Sequence, residues 1–375
     1  MVELSFNSAP HSAARSTGRV DWIEAFRGIA ALGVVFWHTS NYIEPYGEGL
    51  TGRVFWPASI FGVDVFFILS GFVMVLATST RRAAPAPLDF YIRRVIRVLP
   101  LYALATLAFV ALNPASAPTL QHIVRSLLFL PGMEVADAPV YRFPIMTVGW
   151  TLNYEMYFYL AFAISLFFGR WRWTALLTWI FLAVFAIPLA FGTNQFQFLT
   201  SENHFPFESA WLNLPTNPII LLFAAGVLCG LLHATGWKIR SNRVSFVLRA
   251  GAIALVALQY ACSFRVTHSV FGTGLSLVPL VLVFAVTQPC RFVLLRPLLY
   301  LGSISYALYV AHPVVIVALR LPLHQGYSGL GAVLLTTLVS LLVAALAHHF
   351  FEQPVARWLR QAMNTIPRRQ IEAAG

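Results

Sequence analysis

The sequence predicts an all-α, polytopic bundle of transmembrane helices, and three observations predict it. Hydrophobic residues fill 58% of the 375 positions and charged residues only 10%, with a mean hydropathy of +0.73. That is more apolar surface than a soluble domain can bury. The apolar residues fall in runs suited to crossing a hydrocarbon layer about 30 Å thick. The basic residues, which give a formal charge of +11 and a pI near 10.0, fall in short connections between those runs. A nucleic-acid-binding protein would gather them on a soluble patch with its own core, so nucleic acid is not an expected partner.

Taken in order, Met1 to Arg19 is polar and has no apolar core followed by a small-residue cleavage site. It reads as a cytoplasmic tail (1–19), held inside by Arg15 and Arg19, rather than a removable signal peptide. Apolar spans are expected near residues 24–43, 60–79, 98–113, 148–168, 174–191, 217–234, 249–265, 271–288, 298–319 and 329–350, about ten crossings in all. The third, fifth and seventh are short or interrupted. With the N-terminus inside, twenty of the 25 basic residues, Arg81, Arg82, Arg291, Arg368 and Arg369 among them, lie on the inner side. Arg53, Arg125, Arg142, Arg265 and Arg320 lie outside, a bias that places both termini in the cytoplasm. The transmembrane domain is then 20–355 and a second cytoplasmic tail covers 356–375. Two outer connections, about 114–147 and 192–216, are long. Within the first, Ile123 to Leu130 is apolar but too short to span, as an interfacial or re-entrant piece would be. The second carries Asn194, Glu202, Asn203, His204 and Glu208 among Phe196, Phe198, Phe205, Phe207 and Trp211. That mixture fits an aromatic belt at the membrane interface, and it also fits the apolar faces and hydroxyl edges of a sugar. Cys229, Cys262 and Cys290 lie in or beside apolar segments without metal-ligand spacing, and no metal is expected.

The residues able to do chemistry begin in Asp21 to Ser40, DWIEAFRGIAALGVVFWHTS. Arg27 and His38 are separated by a helical rise of roughly 16 Å and about three full turns, so both point from one face. With Arg27 at a membrane boundary, His38 is expected near mid-depth, where a histidine is either functional or hydrogen-bonded to a neighbouring helix. The connection from Thr80 to Leu99 sets Arg81, Arg82, Arg93, Arg94 and Arg97 against a single Asp89. Arg94 and Arg97, one helical turn apart, can offer two guanidinium forks to one polyphosphate. Glu155, in GWTLNYEMYFYL, and Asp64, in GVDVFFILSGF, are carboxylates inside expected spans, which requires a polar interior or a cationic partner. Glu155 is expected to couple to His38 or to bind the acceptor; for Asp64 a structural hydrogen bond is the competing role.

Together FRGIAALGVVFWH, GVDVFFILSGF, FYIRRVIRVLPLY, GWTLNYEMYFYL, LGSISYALYVAHP and FEQP, in this order from about residue 20 to 355, resemble the acyltransferase family 3 group of bacterial membrane acyltransferases. The resemblance implies a ten-helix domain in the bacterial cytoplasmic membrane. It implies transfer of an acyl group, usually acetyl, from cytoplasmic acyl-CoA (acetyl-CoA) to a hydroxyl of a surface polysaccharide or exopolysaccharide. The family's arginine and histidine fall on Arg27 and His38, its arginine doublet on Arg94 and Arg97, and its Trp, Thr and Glu on Trp150, Thr151 and Glu155. Many relatives have Ser-Val-Glu where this chain has Asn153, Tyr154 and Glu155, so of those three only the glutamate transfers. No appended periplasmic esterase-like domain is recognised, and one chain is expected to perform the whole transfer.

Acyl transfer from a thioester to a hydroxyl needs a base for the hydroxyl proton, which a neutral imidazole can supply. The expected catalytic residues are therefore His38, Glu155 and Arg27. Arg93, Arg94 and Arg97 are expected on acyl-CoA, and Trp150, Thr151, His312 and Asp64 on the acceptor. An acyl-histidine intermediate is compatible with this set and not required. His312 precedes Pro313, so a structural role competes. The partners are acyl-CoA, a carbohydrate, lipid-linked or not, and membrane lipid. Two rival functions are a transporter or flippase of a lipid-linked sugar, which would more often show internal repeats, and acylation of a small-molecule glycoside.

Overall fold

A computed structural model describes residues 20–43, 49–79, 86–114, 117–131, 139, 144–191, 207–288, 296–323 and 328–365. Its regular elements are fifteen α-helices, joined in places by short 3₁₀ or π turns, and no strand occurs among the described residues. Arg15, Arg19, Arg81, Arg82, Arg142, Arg291, Arg368, Arg369, Cys290, Asn194, Phe196, Phe198, Glu202, Asn203, His204 and Phe205 lie outside the described residues.

Helix α1 (Asp21–Thr39) carries Asp21 and Glu24 in its first turn, where carboxylates complement the helix dipole, and His38 in its last. His38 therefore lies near the far end of its helix. Helix α2 (Gly49–Ser79) follows, then α3 (Pro87–Leu112), which begins well before the expected residue 98. Pro87 sits in the first turn, where its missing N–H costs nothing, and the Asp89–Arg93 pair at i,i+4 carries the helix through the basic stretch. Arg93, Arg94 and Arg97 thus stand on a helix surface and not in a loop. Eight-residue α4 (Leu120–Leu127), capped by the Thr119 hydroxyl accepting from the His122 N–H, covers most of the apolar stretch 123–130.

Helices α5 (Gly149–Ser165), α6 (Arg172–Phe181) and α7 (Ile187–Ala190) form one apolar stretch broken at Gly169, whose φ of +54° strongly favours glycine. Helices α8 (Ala210–Thr216), α9 (Ile220–Ala234), α10 (Asn242–Ala261) and α11 (Gly274–Val286) come next. Helices α12 (Arg296–Ser303) and α13 (Ser305–Leu323) meet at a 70° bend. Helix α14 (Leu330–Ala347) continues through a π turn into α15 (Gln353–Thr365), so residues 356–365 of the expected tail are helical; α15 packs on α3.

Among the described residues six helices are long and apolar enough to cross a bilayer, or seven with the bent pair α12–α13 taken as one. The expectation of about ten also counts α1, which carries Glu24, Arg27 and His38, the 13-residue α11, and two arms within Gly149–Ala190. Polarity is distributed as in a lipid-exposed bundle. Leu120, Phe167, Phe246 and Phe350 are largely exposed, whereas Asp64, Thr106, Asn213, His312 and Ser340 are completely buried. The chain is a multi-pass membrane protein.

Helix α2 packs on α1, α9 and α11. Its approach to α9 is close enough that a Cβ at Gly226 would run into the Ile68 carbonyl, and its approach to α1 sets Gly62 against the Ala30 carbonyl. Small residues at such contacts let helix backbones meet without side chains between them. Helix α13 packs on α1, α3 and α14.

Candidate active site

A narrow cavity of about 80 Å³ lies among α1, α2, α3, α5 and α13. Its polar lining includes Arg27, Ser70, Arg94, Arg97, Thr151 and Glu155, set among aliphatic and aromatic side chains. The Tyr159 hydroxyl, one turn along α5, donates to Glu155 Oε1, and the Ser70 hydroxyl donates to the same oxygen at 3.4 Å. The Arg94 guanidinium lies 5.3 Å from the centroids of both the Tyr159 and the Phe90 rings. Tyr159 is thereby pinned between a carboxylate and a cation, which orients both.

From this charged end a line of polar groups runs along α13. Tyr306 donates to the Val98 carbonyl at 2.6 Å. Tyr309, one turn on, donates to the Val148 carbonyl at 3.1 Å, and its hydroxyl lies 2.7 Å from that of Thr151. The Tyr309 ring lies against His312, with centroids 6.1 Å apart, and His312 Nε2 lies 3.3 Å from His38 Nδ1. Tyr306, Tyr309 and His312 share a face because they recur at three-residue spacing.

The ring nitrogens can be assigned from their partners. His38 Nδ1 lies 2.9 Å from the Val34 carbonyl and His312 Nδ1 lies 3.0 Å from the Leu308 carbonyl. A carbonyl only accepts, so in both rings the proton belongs on Nδ1 and the lone pair on Nε2. His312 Nε2 is then an acceptor for the shared His38 Nδ1–H, and the basic nitrogen of His38 is Nε2.

The expected site residues divide into three groups. Arg27, Arg94, Arg97, Thr151 and Glu155 share the cavity, and His38 is joined to His312 at the end of the α13 line. Asp64 and Trp150 stand apart around His268, in the turn before α11. Asp64 Oδ1 lies 2.7 Å from His268 Nδ1, the Thr273 hydroxyl donates to Oδ2, and the Trp150 ring meets the His268 ring at 5.4 Å. With both oxygens engaged in a fully buried site, Asp64 ties α2 to that turn, which is the structural role that competed in the sequence reading. Arg93 is held by Asp89, through Nε at 3.0 Å and Nη2 at 3.2 Å, and reaches Asn364 at 3.3 Å. No group of three or more residues fit to hold a metal occurs among the described residues.

Two wider cavities adjoin the narrow one. One, of about 950 Å³, is lined by Glu24, Glu352, Arg357 and Arg360 among others; Arg27 and Arg97 line both it and the narrow cavity. The other, of about 280 Å³, lies between α3 and α15 and shares Arg94 and Arg97 with the narrow cavity.

The model of a family described as an acyltransferase domain matches residues 20–349. The chain belongs to acyltransferase family 3. Among its relatives is the exopolysaccharide production protein ExoZ of Rhizobium meliloti, 30% identical over 79% of this chain and 89% of that protein. Another is the O-acetyltransferase OatA of Staphylococcus aureus, 20% identical over 94% of this chain and 60% of that protein. No solved structure matches the chain. Membership of this acyltransferase family makes the cavity and the histidine pair its candidate active site.

Sequence reasoning missed Ser70, Tyr159, Tyr306 and Tyr309 as cavity residues. The i,i+4 relation of Glu155 to Tyr159 and the three-residue rhythm of Tyr306, Tyr309 and His312 were present, but aromatic residues at helical spacing read equally well as core.

Proposed function

We propose that this acyltransferase moves an acetyl group from cytoplasmic acetyl-CoA to a hydroxyl of a surface polysaccharide or exopolysaccharide sugar, with His38 as the base. One observation carries the reading. Arginines line a narrow cavity, and Tyr306, Tyr309 and His312 on one face of α13 lead from it to His38, whose Nδ1 lies on the Val34 carbonyl. In this reading the phosphates of CoA rest on Arg94 and Arg97, and the thioester arm threads the cavity toward the histidine pair. The arm covers the rise of roughly 16 Å from Arg27 to His38. The narrow bore suits a small acyl group.

His38 Nε2 takes the proton of the acceptor hydroxyl as that oxygen attacks the thioester carbonyl. The C–S bond then breaks, and the departing sulfur receives the proton from the imidazolium. While positively charged, His38 keeps its Nδ1–H on Val34 and His312 Nε2. Glu155, fixed by Tyr159 and Ser70, balances the charge of the arginine end. The exopolysaccharide production role named for ExoZ and the O-acetyltransferase activity named for OatA support the acceptor class and the acetyl donor. The enzyme acts as a multi-pass protein of the bacterial cytoplasmic membrane, with the donor drawn from the cytoplasm.

The test is His38→Ala, assayed by mass and NMR analysis of surface glycan from deleted and complemented cells. Loss of a general base typically costs about 10² to 10⁴ in rate. Glycan acylation should disappear while membrane abundance and CoA binding persist; near-normal acylation would remove His38 from the mechanism.

A further inference from the structure

The cavity of about 280 Å³ between α3 and α15 is lined by Ala77, Asp89, Phe90, Arg93, Arg94, Arg97 and Arg360. Asp89 is the one carboxylate among these lining residues, and Arg93 holds it through two hydrogen bonds. Arg94, Arg97 and Arg360 face the same small space, whose one lining carboxylate is already engaged by Arg93. Of the acids lining the adjoining cavities, Glu155 accepts from Tyr159 and Ser70, Glu352 Oε2 lies 2.8 Å from His348 Nδ1, and Glu24 lines the wider cavity with Arg97 and Arg360. Three converging guanidinium groups repel one another unless an anion sits between them, and their planar forks match phosphate oxygens.

The arrangement is built, because Arg93 also reaches Asn364 at 3.3 Å. Asn364 lies one helical turn beyond Arg360 on α15, so the bridge that fixes Asn364 turns the same face of α15 toward α3. Arg93, expected to bind the donor, thus positions the helix that delivers Arg360. Arg360 falls within 356–375, the stretch expected from sequence to be a cytoplasmic tail, and stands on α15.

We propose that Arg360 completes a phosphate-binding site with Arg94 and Arg97, and that the site takes a phosphate of the nucleotide half of the acyl donor. The assignment rests on the acyl-CoA reading above and adds to it a third cationic residue from the C-terminal helix. A second source of the same chemistry is an anionic lipid headgroup, because α15 also exposes Trp358.

The test is calorimetric titration of the full-length purified protein in zwitterionic nanodiscs with CoA, 3′-dephospho-CoA and pantetheine. Arg360→Ala should weaken CoA about tenfold relative to pantetheine, Arg360→Lys should recover most of the loss, and the difference should shrink as salt rises. Unchanged CoA affinity in Arg360→Ala would overturn the proposal, as would an equal loss for pantetheine. So would loss of co-purifying anionic lipid with CoA affinity unaltered, which would make this a headgroup site. Failure of the wild-type protein to bind CoA at all is a different result, since it removes the donor reading itself.

Discussion

At the scale of single residues the proposed mechanism turns on which nitrogen of His38 carries a proton. The Val34 carbonyl and His312 Nε2 both favour the proton on Nδ1, so His312 serves His38 as an orienting acceptor. In the proposed mechanism it is a positioning residue, and its loss should leave donor binding intact. In His312→Ala, kcat is expected to fall about 10- to 100-fold with the KM for acetyl-CoA little changed, in line with the cost of a misplaced catalytic group. His312→Gln, whose amide oxygen can accept from Nδ1–H, should recover most of the activity. Equal losses in both variants, matched by equal drops in melting temperature, would make His312 a packing residue only.

At the scale of elements the site depends on how closely α2 approaches its neighbours. The α2–α9 contact has no room for a Cβ at Gly226, because the Ile68 carbonyl occupies that space. Gly226→Val should therefore push the helices apart at an overpacking cost of about 1–3 kcal/mol. A lower melting temperature and reduced membrane abundance in detergent extracts would register it. The same substitution at Gly251, which has open space around it, should leave both measurements near wild type. Displacing α2 also moves Ser70, so residual Gly226→Val protein should show weaker coupling between Glu155 and its partners.

At the scale of the whole molecule Arg27, Arg94 and Arg97 gather on one narrow cavity, apart from the His38–His312 pair. Arg94→Ala combined with Arg97→Ala should weaken CoA binding by about 10- to 100-fold, because hydrogen bonds to charged groups are worth about 1.5–3 kcal/mol each and the two share one ligand. The loss should be greatest at low salt, where screening is least. Unchanged CoA affinity in a correctly inserted double variant would remove the arginine end from the donor site.

The sequence by itself determined the membrane class and the family. Apolar runs and basic connections are local properties, and six motifs in order persist whatever the packing. It also placed Arg94 and Arg97 together, since one helical turn is a local distance. Tertiary structure alone decided which helices those residues meet. Arg93, adjacent to Arg94, is turned by about 100° around the helix and pairs with Asp89 and Asn364 instead of lining the narrow cavity. Asp64 and Glu155 looked alike as buried carboxylates, yet one closes a hydrogen-bonded turn with His268 and the other faces arginines. His38 and His312 lie 274 positions apart and meet because α1 packs on α13. Helical periodicity gives the face of each helix, but the neighbour of that face is set by the packing of the entire bundle.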